Sequence, residues 1–350
     1  MFKTLLVPLD GSRQAESVLP VAARIAQASG ATIVLARVTS FLSEYWFAMT
    51  VTHSSVTEAF TKADLEDAAA YLERVASSEH LNGITVKTIT SFGPVVPTIL
   101  SLAASSSSDL IVVCSHRHPG IPHWMMDSMT SRIARHASML VLIVREDQTS
   151  LGSSPTDLAQ PLRLLVPLDG SAEAEAALEP GVALLMALAA PGQQIALHLA
   201  RVVSLHRGQR VDSSGGFEPP FVSRELAQAK QALCQTAEKL RKGQLAPIIA
   251  QQHLPITWSV ILDNDVARAV VRVAEQGEDT EGAGVFGGCE LIAVAHRGRS
   301  SFRNMVFGSI TERLLHASRN SILLVRPPEP MEQESLGGGR HQTVSSGVLL

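Results

Sequence analysis

Leu5-Leu6-Val7-Pro8-Leu9-Asp10-Gly11-Ser12 returns letter for letter as Leu164-Leu165-Val166-Pro167-Leu168-Asp169-Gly170-Ser171. Each copy is a short apolar run closed by Asp-Gly-Ser, which reads as a strand feeding a turn. Three further echoes follow. Leu35-Ala36-Arg37-Val38 reappears as Leu199-Ala200-Arg201-Val202. Asp109-Leu110-Ile111-Val112-Val113 matches Glu290-Leu291-Ile292-Ala293-Val294, and the surroundings of Ser128 match those of Ser309, both at an offset of 181 positions. The chain is one α/β domain written twice, and the differences between the copies carry the functional information.

Composition bounds the rest. A chain of 350 residues has room for two domains that each bury a core. Hydrophobic residues make up 45% and aromatic ones only 4%, which suits aliphatic strands between helices and not a base-stacking surface. A net charge of −4 argues against a nucleic-acid partner held by general electrostatics. Asp10, Arg13 and Glu16 break the N-terminus before a signal-peptide apolar stretch forms, and Val182 to Ala190 is too short to span a membrane. Cys114, Cys234 and Cys289 have no paired spacing, so neither a disulfide framework nor a zinc site is expected, and a cytoplasmic location is.

Alternating patterns give the order of elements. In the first half, strands are expected at 3–9, 31–38, 84–89, 110–114 and 140–144, with helices at 14–28, 57–77, 95–104 and 125–136. The second half repeats the strands at 162–168, 195–203, 256–261, 291–295 and 321–325. Strand–helix alternation implies parallel strands with crossover helices on both faces. The expected domains are residues 1–148 and 162–327, joined by a Ser/Gly/Pro-rich linker at 149–161, with a disordered tail at 328–350. The segment from Gly277 to Gly288 reads as an inserted Gly-rich loop, and Phe41 to Val56 as a long surface excursion. The fifth strands, Leu140 to Val144 and Ile322 to Val325, are wholly apolar. Such edges invite pairing, so they are expected to meet across a pseudo-two-fold axis within the molecule.

Ligands of open parallel sheets sit beyond the carboxyl ends of the strands. Asp169, Val202 and Ala295 fall at three such ends. After Ala295 the chain reads His296-Arg297-Gly298, then nine residues, then Gly308-Ser309 at the start of a helix. Gly298 and Gly308 carry no Cβ and let backbone approach phosphate oxygens; Ser309 adds a hydroxyl where free amides and the helix dipole favour an anion. The plainer reading is a turn glycine and a helix N-cap.

These residues resemble the universal stress protein family. The Val-Pro-Leu-Asp-Gly-Ser start, the loop closing on Gly-Ser, and Arg132, His136, Ala137 and Val141 to Arg145 at the close carry the likeness, once per half. The resemblance implies two tandem open parallel five-stranded sheets of order 3-2-1-4-5, Rossmann-like, and frequent dimerisation. In one branch it also implies ATP binding through Gly-x-x-Gly, nine residues, Gly-Ser/Thr. The second half would then hold ATP, with or without Mg²⁺, through Pro167, Asp169 at the adenine amino group, Val202 at the adenine edge, Ala295 in place of the first glycine, Gly298, Gly308 and Ser309. The first half departs further. Cys114, Arg117 and Asp127 stand where glycines are expected, leaving Asp10, Val38 and Ser128 as a weaker set. Asp127 sets a carboxylate against phosphate, and Pro119 and Pro122 remove two amide donors.

His116, Arg117, His118 and His123 make the first loop cationic, but no partner set of metal-ligand spacing accompanies them. The expectation is a tandem stress protein that binds ATP without catalysis beyond slow hydrolysis, since the phosphate loop has no carboxylate to hold Mg²⁺ or orient water. The alternatives are a nucleotide-independent scaffold and an adenylating enzyme. The latter needs a Ser-Gly-Gly-rich loop after strand one, which Asp-Gly-Ser does not supply.

Overall fold

The computed structural model describes residues 2–40, 54–115, 129–145, 151, 161–204, 220–280, 284–295 and 308–327. The first half contributes β1 (Thr4–Pro8), α1 (Arg13–Glu16), α2 (Leu19–Ser29), β2 (Thr32–Thr39), α3 (Ser54–Ala76), β3 (Val86–Phe92), α4 (Val95–Ser105), β4 (Leu110–Ser115), α5 (Met129–His136) and β5 (Leu140–Arg145). The second contributes β6 (Leu162–Pro167), α6 (Ala172–Glu175), α7 (Leu178–Leu188), β7 (Ile195–Val203), α8 (Pro220–Arg241), α9 (Pro247–Gln251) and β8 (Ile256–Leu262). It continues through α10 (Val266–Gln276), a hairpin of β9 (Glu278–Thr280) and β10 (Gly284–Phe286), β11 (Leu291–Ala295), α11 (Ser309–Ala317) and β12 (Ser321–Val325). The fold is Rossmann-like α/β.

Each half orders its five strands 3-2-1-4-5 in its own count, all parallel. The sheets are not separate, however. They fuse into one ten-stranded sheet, β3-β2-β1-β4-β5-β12-β11-β6-β7-β8, through an antiparallel seam between the fifth strands. Ile322 pairs with Ile143, Leu323 with Leu142 and Leu324 with Val141. Leu142 therefore faces its own counterpart, which places the pseudo-two-fold there. The seam residues are apolar and buried, so pairing removes two hydrophobic edges from water at once.

Strand alternation sends side chains to two cores, one on each face, and both run through the two halves. α2 and α7 cross the seam on one face, where Arg24 Nη1 donates to the Leu188 carbonyl at 3.2 Å. On the other face Arg326 Nη1 donates to the Ala137 carbonyl at 2.9 Å, and Arg145 Nη2 to the Leu315 carbonyl. These two arginines occupy matching positions, so each half closes the last turn of the other's helix.

Four expectations change. The apolar period over 14–28 reads as one helix, yet α1 ends at Glu16 and α2 begins at Leu19. Pro20 in the opening turn of α2 has no amide to continue α1, and Pro180 repeats the break before α7. The segment from 277 to 288 is not a plain loop, because Glu278–Thr280 and Gly284–Phe286 pair antiparallel. The third strand of the first half runs on to Phe92, paired with Thr39. The excursion expected at 41–56 gives way to α3 at Ser54; its residues 41–53, residues 116–128, most of the linker and the tail lie outside the described residues.

Candidate functional site

At the end of β1 and of β6 the same turn is built from the same three residues. Asp10 Oδ1 accepts the Ser12 amide at 2.8 Å, and Asp169 Oδ1 accepts the Ser171 amide at 2.9 Å and its hydroxyl. Ser12 and Ser171 then cap α1 and α6, accepting from the amides of Ala15 and Ala174. Gly11 and Gly170 hold φ of 90° and 86°, a conformation that strains any residue with a Cβ. The repeated Asp-Gly-Ser is thus explained first by the turn it makes, and one oxygen of Asp169 is committed to that turn.

The parallel register gathers the second-half residues at one end of the sheet. β6 lies between β7 and β11, with Pro167 beside Ala200 and Leu165 beside Ile292. Pro167, Asp169, Val202 and Ala295 therefore share the carboxyl-end rim of three adjacent strands. Asp169 is exposed there, while Pro167, Val202 and Ala295 are half-buried. α11 returns the chain from the end of β11 to the start of the parallel β12, so its N-terminus opens on the same rim.

Gly308 is the N-cap of α11 and makes no side-chain cap bond. Its φ of −61° and ψ of 131° suit any residue, and among the described residues a Cβ built on it meets only Thr311 Oγ1, at 3.7 Å. Neither the conformation nor packing against the described residues requires glycine here, and Ser, Thr or Asp would cap better. Ser309 is exposed beside it. The first amides of α11 are thus left without a side-chain cap from residue 308, at the positive end of the helix dipole. Gly298 lies outside the described residues, as do Ser128, Asp127, Cys114's neighbours His116, Arg117 and His118, and His123. In the first half Asp10 is exposed and Val38 half-buried at the corresponding rim.

Two arginines escape notice in the sequence although both lie inside a repeated block. The Arg37 guanidinium packs against Gly11, its Nη1 3.4 Å from where a Cβ would stand, and its carbon lies 4.7 Å from the centroid of the Tyr71 ring. Arg201 packs against Gly170 in the same way, at 3.1 Å. The Tyr71 hydroxyl donates to Glu16 Oε1 at 2.8 Å, and burial, followed by that bond to a carboxylate, pushes its phenol well above the usual range. Cys114, half-buried at the end of β4, has its Sγ 3.4 Å from Ser17 Oγ, and its carbonyl accepts from Thr130 Oγ1 at 3.1 Å.

Among the described residues no group of three or more His, Cys, Asp or Glu side chains is placed to hold a metal, and no helix is long and apolar enough to cross a membrane. Residues 1–145 and 162–326 each match the sequence model of the Universal stress protein family. A universal stress protein of Mycobacterium tuberculosis is 23% identical over 243 residues, which is 69% of this chain and 70% of that protein. Among solved structures, a universal stress protein of Archaeoglobus fulgidus superposes with a TM-score of 0.57 at 17% identity, covering 92% of this chain and 96% of its own. A putative universal stress protein of Pseudomonas aeruginosa gives 0.56 at 14% identity, covering 93% and 94%. At these identities the structural likeness is one of fold.

Proposed function

The chain belongs to the universal stress protein family, and from that premise we propose that it is a nucleotide-responsive binding module whose second half holds ATP while the first half has lost that capacity. The observation that carries the reading is Gly308: a glycine at the N-cap of α11 in a conformation open to any residue, with no tight contact at its Cβ position among the described residues, on the rim that also bears Asp169, Val202 and Ala295. A ligand backing onto that amide cluster is a reason to omit a Cβ there. In this reading Gly308, Ser309, Gly298 and the backbone at Ala295 take the phosphates. Asp169 accepts from the adenine amino group, and Pro167 and the Val202 backbone line the base. Mg²⁺, when present, supplies charge neutralisation of the phosphates.

In this reading the module binds ATP without catalysis beyond slow incidental hydrolysis. Asp169 stands at the base end, and the carboxylate in the first turn of α11, Glu312, is paired through Oε1 with Arg135 at 2.9 Å, a pairing that competes with any role in holding Mg²⁺ or orienting a water. The chain works in the cytoplasm, with the contact between its own halves standing in for a homodimer interface. A nucleotide-independent scaffold draws support from Asp169, whose Oδ1 is already held by Ser171.

The two readings part on one measurement. Freshly purified protein, examined by absorbance for bound adenine and titrated calorimetrically with ATP in magnesium buffer, should bind one nucleotide per chain. No bound adenine and no heat would leave the scaffold standing. Two nucleotides per chain would restore the first half.

A further inference from the structure

The helix that carries the phosphate end of this site is gripped by the other half of the molecule. Arg135, in the last turn of α5, donates from Nη2 to Glu312 Oε1 at 2.9 Å. Glu312 sits in the first turn of α11, where its amide bonds back to the Gly308 carbonyl at 3.0 Å, so its carboxylate leaves the helix one turn from Ser309. An acid there favours the helix through the dipole, yet it also sets a negative charge beside the amides that would receive a polyphosphate. The guanidinium from the first half cancels it.

The pairing is one-sided. The offset of 181 that relates the halves puts Ser131 at the position of Glu312 and His316 at that of Arg135, so the pseudo-two-fold generates no second carboxylate–guanidinium pair. The acid falls on the helix whose N-cap is Gly308, and the cation that answers it comes from across the seam. The far end of α11 is held from the same side: Arg145 Nη2 bonds the Leu315 carbonyl, while its Nη1 bonds Ser115 Oγ at 2.9 Å at the end of β4.

We propose that Arg135 is a positioning residue for the nucleotide site of the second half, neutralising Glu312 so that the α11 N-terminus accepts polyphosphate. The half that binds nothing thereby completes the site of the half that binds. This rests on the ATP reading above.

The test is a calorimetric titration of the full chain with ATP and with AMP, for wild type, Arg135→Gln, Glu312→Gln and the double variant, with thermal melts to show each is folded. Arg135→Gln should weaken ATP by roughly tenfold and AMP by less, because repulsion grows with phosphate charge. The deficit should shrink in high salt. Glu312→Gln alone should bind at least as tightly as wild type, and the double variant should recover to within about twofold of it. Wild-type affinity in Arg135→Gln, or a double variant as weak as Arg135→Gln, overturns the charge role and leaves the ATP reading intact. A wild-type chain that takes up no ATP overturns both.

Discussion

At the end of β1 the Arg37 guanidinium lies between Gly11 and the Tyr71 ring, and Tyr71 reaches on to Glu16. At the end of β6 the matching Arg201 lies against Gly170 in the same way, but the helix position of Tyr71 belongs to Thr236. The buried positions 68, 71, 72 and 75 of α3 correspond to 233, 236, 237 and 240 of α8, which fixes that equivalence. A second difference lies inside the sheet. Val34 beside Leu6 becomes His198 beside Leu165, and Ile89 becomes Ser259. His198 is wholly buried, with its ring nitrogens 2.8 Å from Thr257 Oγ1 and 2.9 Å from Ser259 Oγ. The copies keep the turn, the cap and the seam strand, which any such fold needs. They differ in how the turn arginine and the sheet interior are packed.

The comparison breaks most visibly at α11. Gly308→Asp, which copies the aspartate of the first half, should abolish ATP binding, a loss of more than about a hundredfold, by placing charge and bulk against phosphate. Calorimetry reads it, and Asp127→Gly in the first half should create no second site. Retained affinity in Gly308→Asp would show that the α11 N-terminus is not the phosphate end.

At the seam the halves should answer alike. Leu142→Ala and Leu323→Ala each remove a fully buried leucine facing its counterpart, and each should cost about 3 kcal/mol in urea unfolding. A large inequality would mean that the pseudo-two-fold does not extend to the energetics.

His198 should make the second half the acid-sensitive one. Burial lowers its pKa from 6.5 to about 3, so below about pH 6.5 the unfolded chain takes a proton that the folded chain refuses. The stability is present in full above that pH and is lost as pH falls toward 3, by about 2 kcal/mol between pH 7 and pH 5. His198→Val, restoring the first-half residue, should flatten that part of the pH–stability curve. A curve of unchanged slope would remove His198 from the account.

The smallest effect tests the shared turn. Ser12→Ala and Ser171→Ala should each lose about 1 kcal/mol, equally in the two halves. Unequal losses would show that one Asp-Gly-Ser is held by more than its cap.

Much of this was readable because the strands are unbroken apolar runs that occur twice, so repetition and hydrophobicity pointed to the same elements. The breaks before Leu19 and Leu178 were hidden, since apolar spacing survives a helix interruption that Pro20 and Pro180 impose through a missing amide. The β9–β10 hairpin was hidden by glycine-rich composition. At the site, Asp169 and Gly308 announced themselves by motif. Arg37 and Arg201 were in plain view inside a repeat but had no chemistry attached until their contact with Gly11 and Gly170 was seen. Arg135 and Glu312 lie 177 positions apart, and nothing local in either stretch foretells that they meet.

Because β5 and β12 run antiparallel, within the ten-stranded sheet the strands of one half point opposite to those of the other. The rim holding Asp10 and the rim holding Asp169 therefore open on opposite borders of the slab, five strand spacings apart sideways. With strands of about five residues, that sets them roughly 30 Å from one another. A protein docking at one border has no view of the other, so the chain presents two unlike heads on a common plank.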